Sequence, residues 1–394
     1  MEYLRKFDNH TQYEEARQNL IFPNVSLCVA ENEVHYNPWT YAEAYLTFVA
    51  KEDGTFKLST NAVSYSLDNG ETWTPLAADT ASPTVTAGNK IMWKGELTPS
   101  SSYGVGSFSA TGDFDVQGNV MSLLYGDNFK GQTDLTGKNY AFYRLFNNNT
   151  KVVSVENLSL PATTLANHCY SGMFQGCTNL VNAPELPATT LADDCYGGMF
   201  QDCTSLTTAP ELPATTLTSN CYEGMFYGCT GLTRAPSVLL ATTLESSCYL
   251  YMFNGCTSLT NAPELPATTL AYNCYNGMFY GCTNLVNAPE LPATTLVKRC
   301  YSNMFNGCSN LTTAPALPAN ALADRCYNQM FNGCTSLTYI KCLATNPEYG
   351  GYTSLWVSGV PTGGTFVKNV DANWSNTGPG SGIPGGWTIE TASA

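Results

Sequence analysis

Sixteen cysteines dominate the reactive side chains of this 394-residue chain, and fourteen of them fall in seven pairs of fixed spacing. The first members are Cys169, Cys195, Cys221, Cys248, Cys274, Cys300 and Cys326, and each is followed eight residues later by a second, from Cys177 to Cys334. Thiols form disulfides, bind zinc or act as nucleophiles, and spacing decides among these. Zinc sites take pairs two to four residues apart, and the chain contains none. If a helix joins the two cysteines of a unit, eight residues span about 12 Å, beyond the roughly 7 Å between Cα atoms that a disulfide tolerates. Equivalent cysteines of successive units would sit about one packed helix diameter apart. Two columns of buried, reduced thiols are therefore expected, with disulfides the alternative. A reduced core fits folding in a cytoplasm or in an anaerobe's surroundings.

The other candidate chemistry is sparser. The three histidines, His10, His35 and His168, fall in different parts of the chain, which argues against a histidine metal site. His168 adjoins Cys169, but the equivalent positions in other units hold Asp193-Asp194, Asn220, Ser246-Ser247 and Lys298-Arg299, so the position reads as variable and exposed. Glycines 378, 380 and 382 make a GxGxG interrupted by prolines, with no strand-to-helix context for a nucleotide. Neither cofactor nor metal is implied.

One sharper motif is Ser66-Leu67-Asp68-Asn69-Gly70-Glu71-Thr72-Trp73. It resembles the Asp-box of sialidases and other β proteins. That resemblance implies a hairpin tip in which Asp68 accepts backbone N–H bonds, Gly70 takes a positive φ and Trp73 packs beneath. A sialidase needs several such boxes and an arginine cluster, whereas this chain has one box and six arginines, four of them at Arg144 or later. The motif is expected to be structural, and no enzyme activity is expected.

The element that must position the cysteines is a repeat. The unit LPATTLxxxCYxxMFxGCTxLxxAPE recurs seven times, with five steps of 26 residues and one of 27. Such a period means a solenoid whose units bury their apolar faces only by stacking. From Cys169 the apolar residues Met173, Phe174 and Cys177 follow at offsets of four, five and eight, which predicts one face of a short helix. Leu180 to Leu186, with Ala183 and Pro184 between, reads as a brief extended strand and corner. The motif Met173-Phe174-Gln175-Gly176-Cys177-Thr178-Asn179-Leu180 resembles the BspA-type, cysteine-containing leucine-rich repeats, over roughly residues 155 to 342. The resemblance implies an extracellular recognition scaffold, often an adhesin, without catalysis.

The predicted fold is mostly β with short helices. A segment 1–40 precedes a β-sandwich-like domain at 41–150, a leucine-rich-repeat solenoid of seven ~26-residue units at 151–342, and a cap at 343–394. In the second region, candidate strands are 45–50, 55–58, 63–67, 72–76, 90–94, 103–109, 114–116 and 120–125. In the cap they are 354–357, 365–367 and 387–390. Its tryptophans at 356, 374 and 387 read as end-closing residues, with sugar binding the alternative. The start, MEYLRKFDNH, lacks the apolar core of a secretory signal. A capping box at Thr11-Gln12-Tyr13-Glu14 predicts a short helix over 11–20. Residues 24–38 resemble an opening segment of Bacteroidales phage and prophage virion proteins, which implies attachment to other virion proteins.

The net charge of −14 with only 12% charged residues excludes a basic stripe, so nucleic acid is not an expected partner. No run of 18 apolar residues occurs, so membrane insertion is not expected. Function is expected where the units differ while their scaffold positions stay fixed. The differing positions are the triplets before each first cysteine, the pairs after each following Tyr, and the residue after each Met-Phe. That last column reads Gln175, Gln201, Tyr227, Asn254, Tyr280, Asn306 and Asn332, whose amides and rings suit sugars or a polar protein surface. The expectation is a non-enzymatic recognition protein, either a phage tail or head fibre that binds a Bacteroidales cell surface, or an exported bacterial adhesin. A cell-surface glycan or protein is the expected partner, and homo-oligomerisation is possible. The expected location is the virion, after folding in the host cytoplasm, or else the bacterial surface.

Overall fold

A computed structural model describes residues 41–101, 104–345, 347, 351–374 and 382–392. The expected attachment segment 1–40, with His10, Cys28 and His35, lies outside the described residues, as do Gly378 and Gly380.

The first region is built from β1 (Leu46–Ala50), β2 (Phe56–Leu58), β3 (Val63–Ser66), β4 (Thr74–Leu76), β5 (Lys90–Lys94), β6 (Phe108–Ala110), β7 (Phe114–Asn119) and β8 (Val152–Ser159). Six strands form one open sheet in the order β4-β3-β5-β1-β7-β8. All its pairings are antiparallel except that of β7 with β8. Alternation fixes its inner face: Phe48 lies opposite Ile91 on one side and Val116 on the other, all three buried. What covers that face is the two-stranded β2–β6 ribbon rather than a second full sheet, with Phe56 and Phe108 5.3 and 4.9 Å from the Phe48 ring. The strand predicted over 120–125 is instead a one-turn helix, α1 (Ser122–Tyr125). Asn119 Oδ1 accepts from the Met121 N–H, and Ser122 Oγ accepts from the Leu46 N–H while donating to the Trp93 carbonyl. One local bond and two to strands distant in sequence turn an apolar run that composition alone reads as extended.

The repeat region departs from expectation at its central element. The segment from Cys169 to Cys177 is not helical but a chain of overlapping tight turns, and the same holds in each later unit. Cys169, Ser171, Met173, Gln175 and Cys177 donate their N–H groups to the carbonyl three residues back. The intervening residues Tyr170, Gly172, Phe174 and Gly176 donate instead to the next coil, at Cys195, Gly197, Met199 and Gln201, over 2.8–2.9 Å. Every fourth residue takes a positive φ: His168 at 57°, Gly172 at 61° and Gly176 at 74°. The true period is four, two residues inward and two outward. A nine-residue window cannot separate that from 3.6, whereas left-handed residues at every fourth place are what a helix excludes. Except after Cys334, where residues 339–342 form a strand, the extended segments that follow the second cysteines make only single parallel bridges, such as Asn261 with Asn287 and Asn287 with Thr313.

Stacked coils bring like side chains into columns. The rings of Tyr170, Tyr196, Tyr222, Tyr249, Tyr275, Tyr301 and Tyr327 lie parallel at 5.7–6.2 Å. A second column runs from Phe174 to Phe331 at 5.5–5.8 Å. Both columns continue beyond the seven cysteine-bearing units. Phe142 and Phe146 precede them in a coil with the same turn geometry, and Phe146 stacks at 22° on Phe108 of the sheet region. At the far end residues 351–359 make one more run of turns, where a strand over 354–357 was expected. Parallel strands β9 (Tyr339–Cys342), β10 (Thr365–Lys368) and β11 (Thr388–Thr391) continue the stack. Trp356 and Trp374 stack at 5.5 Å over the Tyr327 end, each with its ring N–H donated to a buried carbonyl, so the tail tryptophans close the core rather than face solvent.

Phe226, fully buried between Phe200 and Phe253, has no other volume to collapse into. Phe226→Ala is expected to destabilise the fold by about 3–5 kcal/mol, read from the urea midpoint at unchanged slope.

Candidate functional site

The tight-turn chain divides each coil into inward pairs, Cys-Tyr and Met-Phe, and outward pairs that share one face. All seven predicted site residues lie on that face in a single column. Their carbonyls are anchored by the preceding coil: Asn148, Gly176, Asp202, Gly228, Gly255, Gly281 and Gly307 donate N–H groups to residues 175, 201, 227, 254, 280, 306 and 332, all at 2.7–2.8 Å. The backbone therefore fixes the spacing of the column whatever side chains it carries. At its ends the side chains are tied down. Gln175 Oε1 accepts from Asn147, while Asn306 and Asn332 both donate to Gln329 Oε1. At the middle Tyr227 and Tyr280 project into solvent, 39% and 42% exposed, on either side of Asn254.

A neighbouring column holds an arrangement that sequence reading missed. His168 Nδ1 lies 2.5 Å from Asp194 Oδ2, and the same oxygen accepts from the Ser171 hydroxyl at 3.2 Å. The imidazole is stacked on the Tyr140 ring at 4.5 Å. The signal was present, because residues 26 apart fall one above the other, but it becomes legible only once the coils are known to be in register. Serine and histidine both bond the carboxylate rather than each other, so this is a polar clasp between coils and not a nucleophile with its base. Glu223, one coil further, is held above the usual carboxylate range by burial, with the Asp194 charge adding to it.

The cysteines lie inward, and all fifteen that are described are unpaired and buried. The second cysteine of each unit has a specific role. Cys203 donates its thiol to the Phe174 carbonyl at 3.1 Å, Cys229 to Phe200 at 3.0 Å and Cys256 to Phe226 at 3.1 Å, so the column braces each coil against the one before. Burial pushes the thiols of Cys169, Cys177 and Cys282 up to about 12, which keeps them neutral and poor nucleophiles.

The Asp-box is a closed structure as well. Asp68 accepts from the Thr72 N–H and hydroxyl and from the Ser66 hydroxyl, bonds that lower its carboxyl to about 2. Asn69 and Gly70 take positive φ at the tip between β3 and β4, and the Trp73 ring packs 4.8 Å from that of Tyr45. Its carboxylate is spent within the turn.

The profile of the BspA type leucine rich repeat region matches in six copies, over residues 138–262 and 246–353, which together span more than half of the chain. The chain belongs to this family. No curated protein matches it. A crystal structure of a leucine-rich repeat protein from Bacteroides ovatus is similar at 15% identity and a TM-score of 0.32, over 74% of this chain and 88% of that one. The profile match begins at residue 138, so the repeat family takes in the coil of Phe142 and Phe146, which carries no cysteine.

The thiols of this BspA-type chain give a pH-dependent prediction. A folded thiol near 12 keeps its proton where an unfolded one, at 9.0, has lost it. The stabilisation is therefore complete below pH 9.0 and falls as pH rises toward about 12. At pH 8 a thiol-exchange reagent is expected to label none of the fifteen described cysteines in the folded chain and all of them in denaturant. Urea midpoints are expected to drop steeply from pH 9 upward.

Proposed function

We propose that this chain is a non-enzymatic recognition protein that binds a cell surface through the outward turn face of its repeats. The observation that carries the reading is the column from Gln175 to Asn332, in which side chains vary freely on backbone positions held at one fixed spacing. An enzyme needs groups that converge on a reacting atom, whereas this architecture spreads similar groups along a line, which suits an extended partner. Membership of the BspA-type family supports the same reading.

The finer reading is a phage virion appendage directed at a Bacteroidales cell, and it rests on the resemblance of residues 24–38 to virion proteins. Mass spectrometry of gradient-purified particles, beside the outer-membrane fraction of the producing cells, tests it. Presence in the particles supports the virion reading, and presence only in the membrane fraction favours a bacterial surface adhesin. Recognition itself is tested by adding the labelled chain to cells. Simultaneous replacement of Tyr227, Asn254 and Tyr280 by alanine is expected to reduce bound label about tenfold or more with an unchanged melting temperature. Equal binding by this variant and the parent would remove the column from the interface.

A further inference from the structure

The four tyrosines that are exposed among the described residues, Tyr227, Tyr251, Tyr272 and Tyr280, all lie on the turn face, on three consecutive coils. Their exposures run from 37% to 42%, against 0–1% for the seven tyrosines of the inner ladder. Tyr251 is the unusual one. Its place in the outward columns is taken elsewhere by Gly172, Gly198, Gly224, Gly277, Asn303 and Gln329, all with positive φ. Tyr251 itself sits at φ 55°, a conformation that the β-carbon disfavours and that glycine adopts freely. Its ring lies over Gly277 of the next coil, where an added β-carbon would overlap it. The ring thereby covers the turn of that coil at Gly277, which lies in sequence between the exposed Tyr272 and Tyr280.

Three exposed tyrosines thus belong to one stretch of the turn face, Tyr272 and Tyr280 on the coil whose Gly277 seats the Tyr251 ring, with Tyr227 two coils away in the column of Tyr280. Asn254 and Asn273 are half-buried among them, while Asn276 is buried and bonded within the stack, donating to Asn273 Oδ1 and accepting from Asn303, so the patch offers the amides of Asn254 and Asn273. Aromatic faces offer apolar contact to the C–H faces of a pyranose, and amides offer a donor and an acceptor each to its hydroxyls. The cations nearest these residues, Lys298 and Arg299, lie one coil further in the columns of Tyr272 and Asn273, and Lys298 is paired with Asp324 at 3.0 Å rather than left for an anionic ligand. From the strained exposed ring, the glycine seat beneath it and the uncharged amides around it, we infer that Tyr251, Tyr272, Tyr280 and Asn254 form a binding site for a neutral glycan of pyranose units. This deepens the surface-recognition reading and rests on it.

The test uses the full chain on a panel of immobilised neutral oligosaccharides of hexose and N-acetylhexosamine units, with charged chains alongside. The parent is expected to retain at least one neutral chain, and Tyr251→Gly to weaken that binding about tenfold or more. Tyr251→Gly relieves the backbone, so it should melt no lower than the parent, which separates a lost contact from a lost fold. Tyr272→Ala is expected to weaken the same oligosaccharide. Retention of no neutral chain, or equal binding by parent and both variants, overturns the proposal. Cell binding by the parent is measured in parallel. If cells are bound, and that binding survives periodate but not protease treatment of the cells, the recognition reading stands and the glycan site falls. If cells are not bound at all, the broader reading itself fails.

Discussion

Everything in this molecule depends on the division of labour among backbone N–H groups in the turn segments. Alternate amides close a tight turn within the coil and the others reach the next coil, so no amide of the segment is left buried without a partner. That alternation requires a left-handed residue at every fourth position, which is why glycine, asparagine and aspartate recur there and why the two inward pairs have no freedom to drift. Side-chain ladders follow from it. The Tyr and Phe columns stack with nearly parallel rings because the backbone beneath them is already at a fixed repeat. The second cysteine column fits the same logic, since a thiol is small enough for the core and still donates to the Phe carbonyl of the coil before.

A stack of this kind has two raw ends, and each is closed by a different device. At the beginning the Phe146 ring meets Phe108, and strand β8 extends the six-stranded sheet by a parallel pairing with β7, so sheet region and solenoid share one continuous core. At the other end the coil narrows onto three parallel strands, and two indoles replace the Tyr and Phe columns. Larger rings with a polar edge suit this place, because each can cover the last coil and still hand its N–H to a backbone carbonyl.

The same constraint explains how the chain can vary its surface without endangering its fold. Outward residues contribute their carbonyls to the stack and little else, so glutamine, tyrosine and asparagine replace one another in the column at 175, 201, 227 and 254. Polar clasps such as His168 with Asp194 are additions to a register already set by the backbone. Tyr251 goes furthest, placing an aromatic side chain at a left-handed position that glycine fills in four of the other six units, with Asn303 and Gln329 in the remaining two.

The sequence by itself determined the repeat, its family, the inward columns, the burial of the cysteines and the outward column from Gln175 to Asn332, because each is a matter of residue type recurring at a fixed step. It also determined the Asp-box hairpin, whose bonds all lie within eight residues. Tertiary structure alone decided that the Cys169–Cys177 segment is a turn chain, because a period of four and one of 3.6 coincide over so short a run and only the neighbouring coil supplies the competing hydrogen bonds. It likewise decided that the apolar run after Asn119 turns as α1, through bonds to Leu46 and Trp93 that are distant in sequence. The tyrosine patch belongs to the same class. Tyr251 and Gly277 lie on different coils, and nothing in either unit taken alone shows that the ring of one rests on the other.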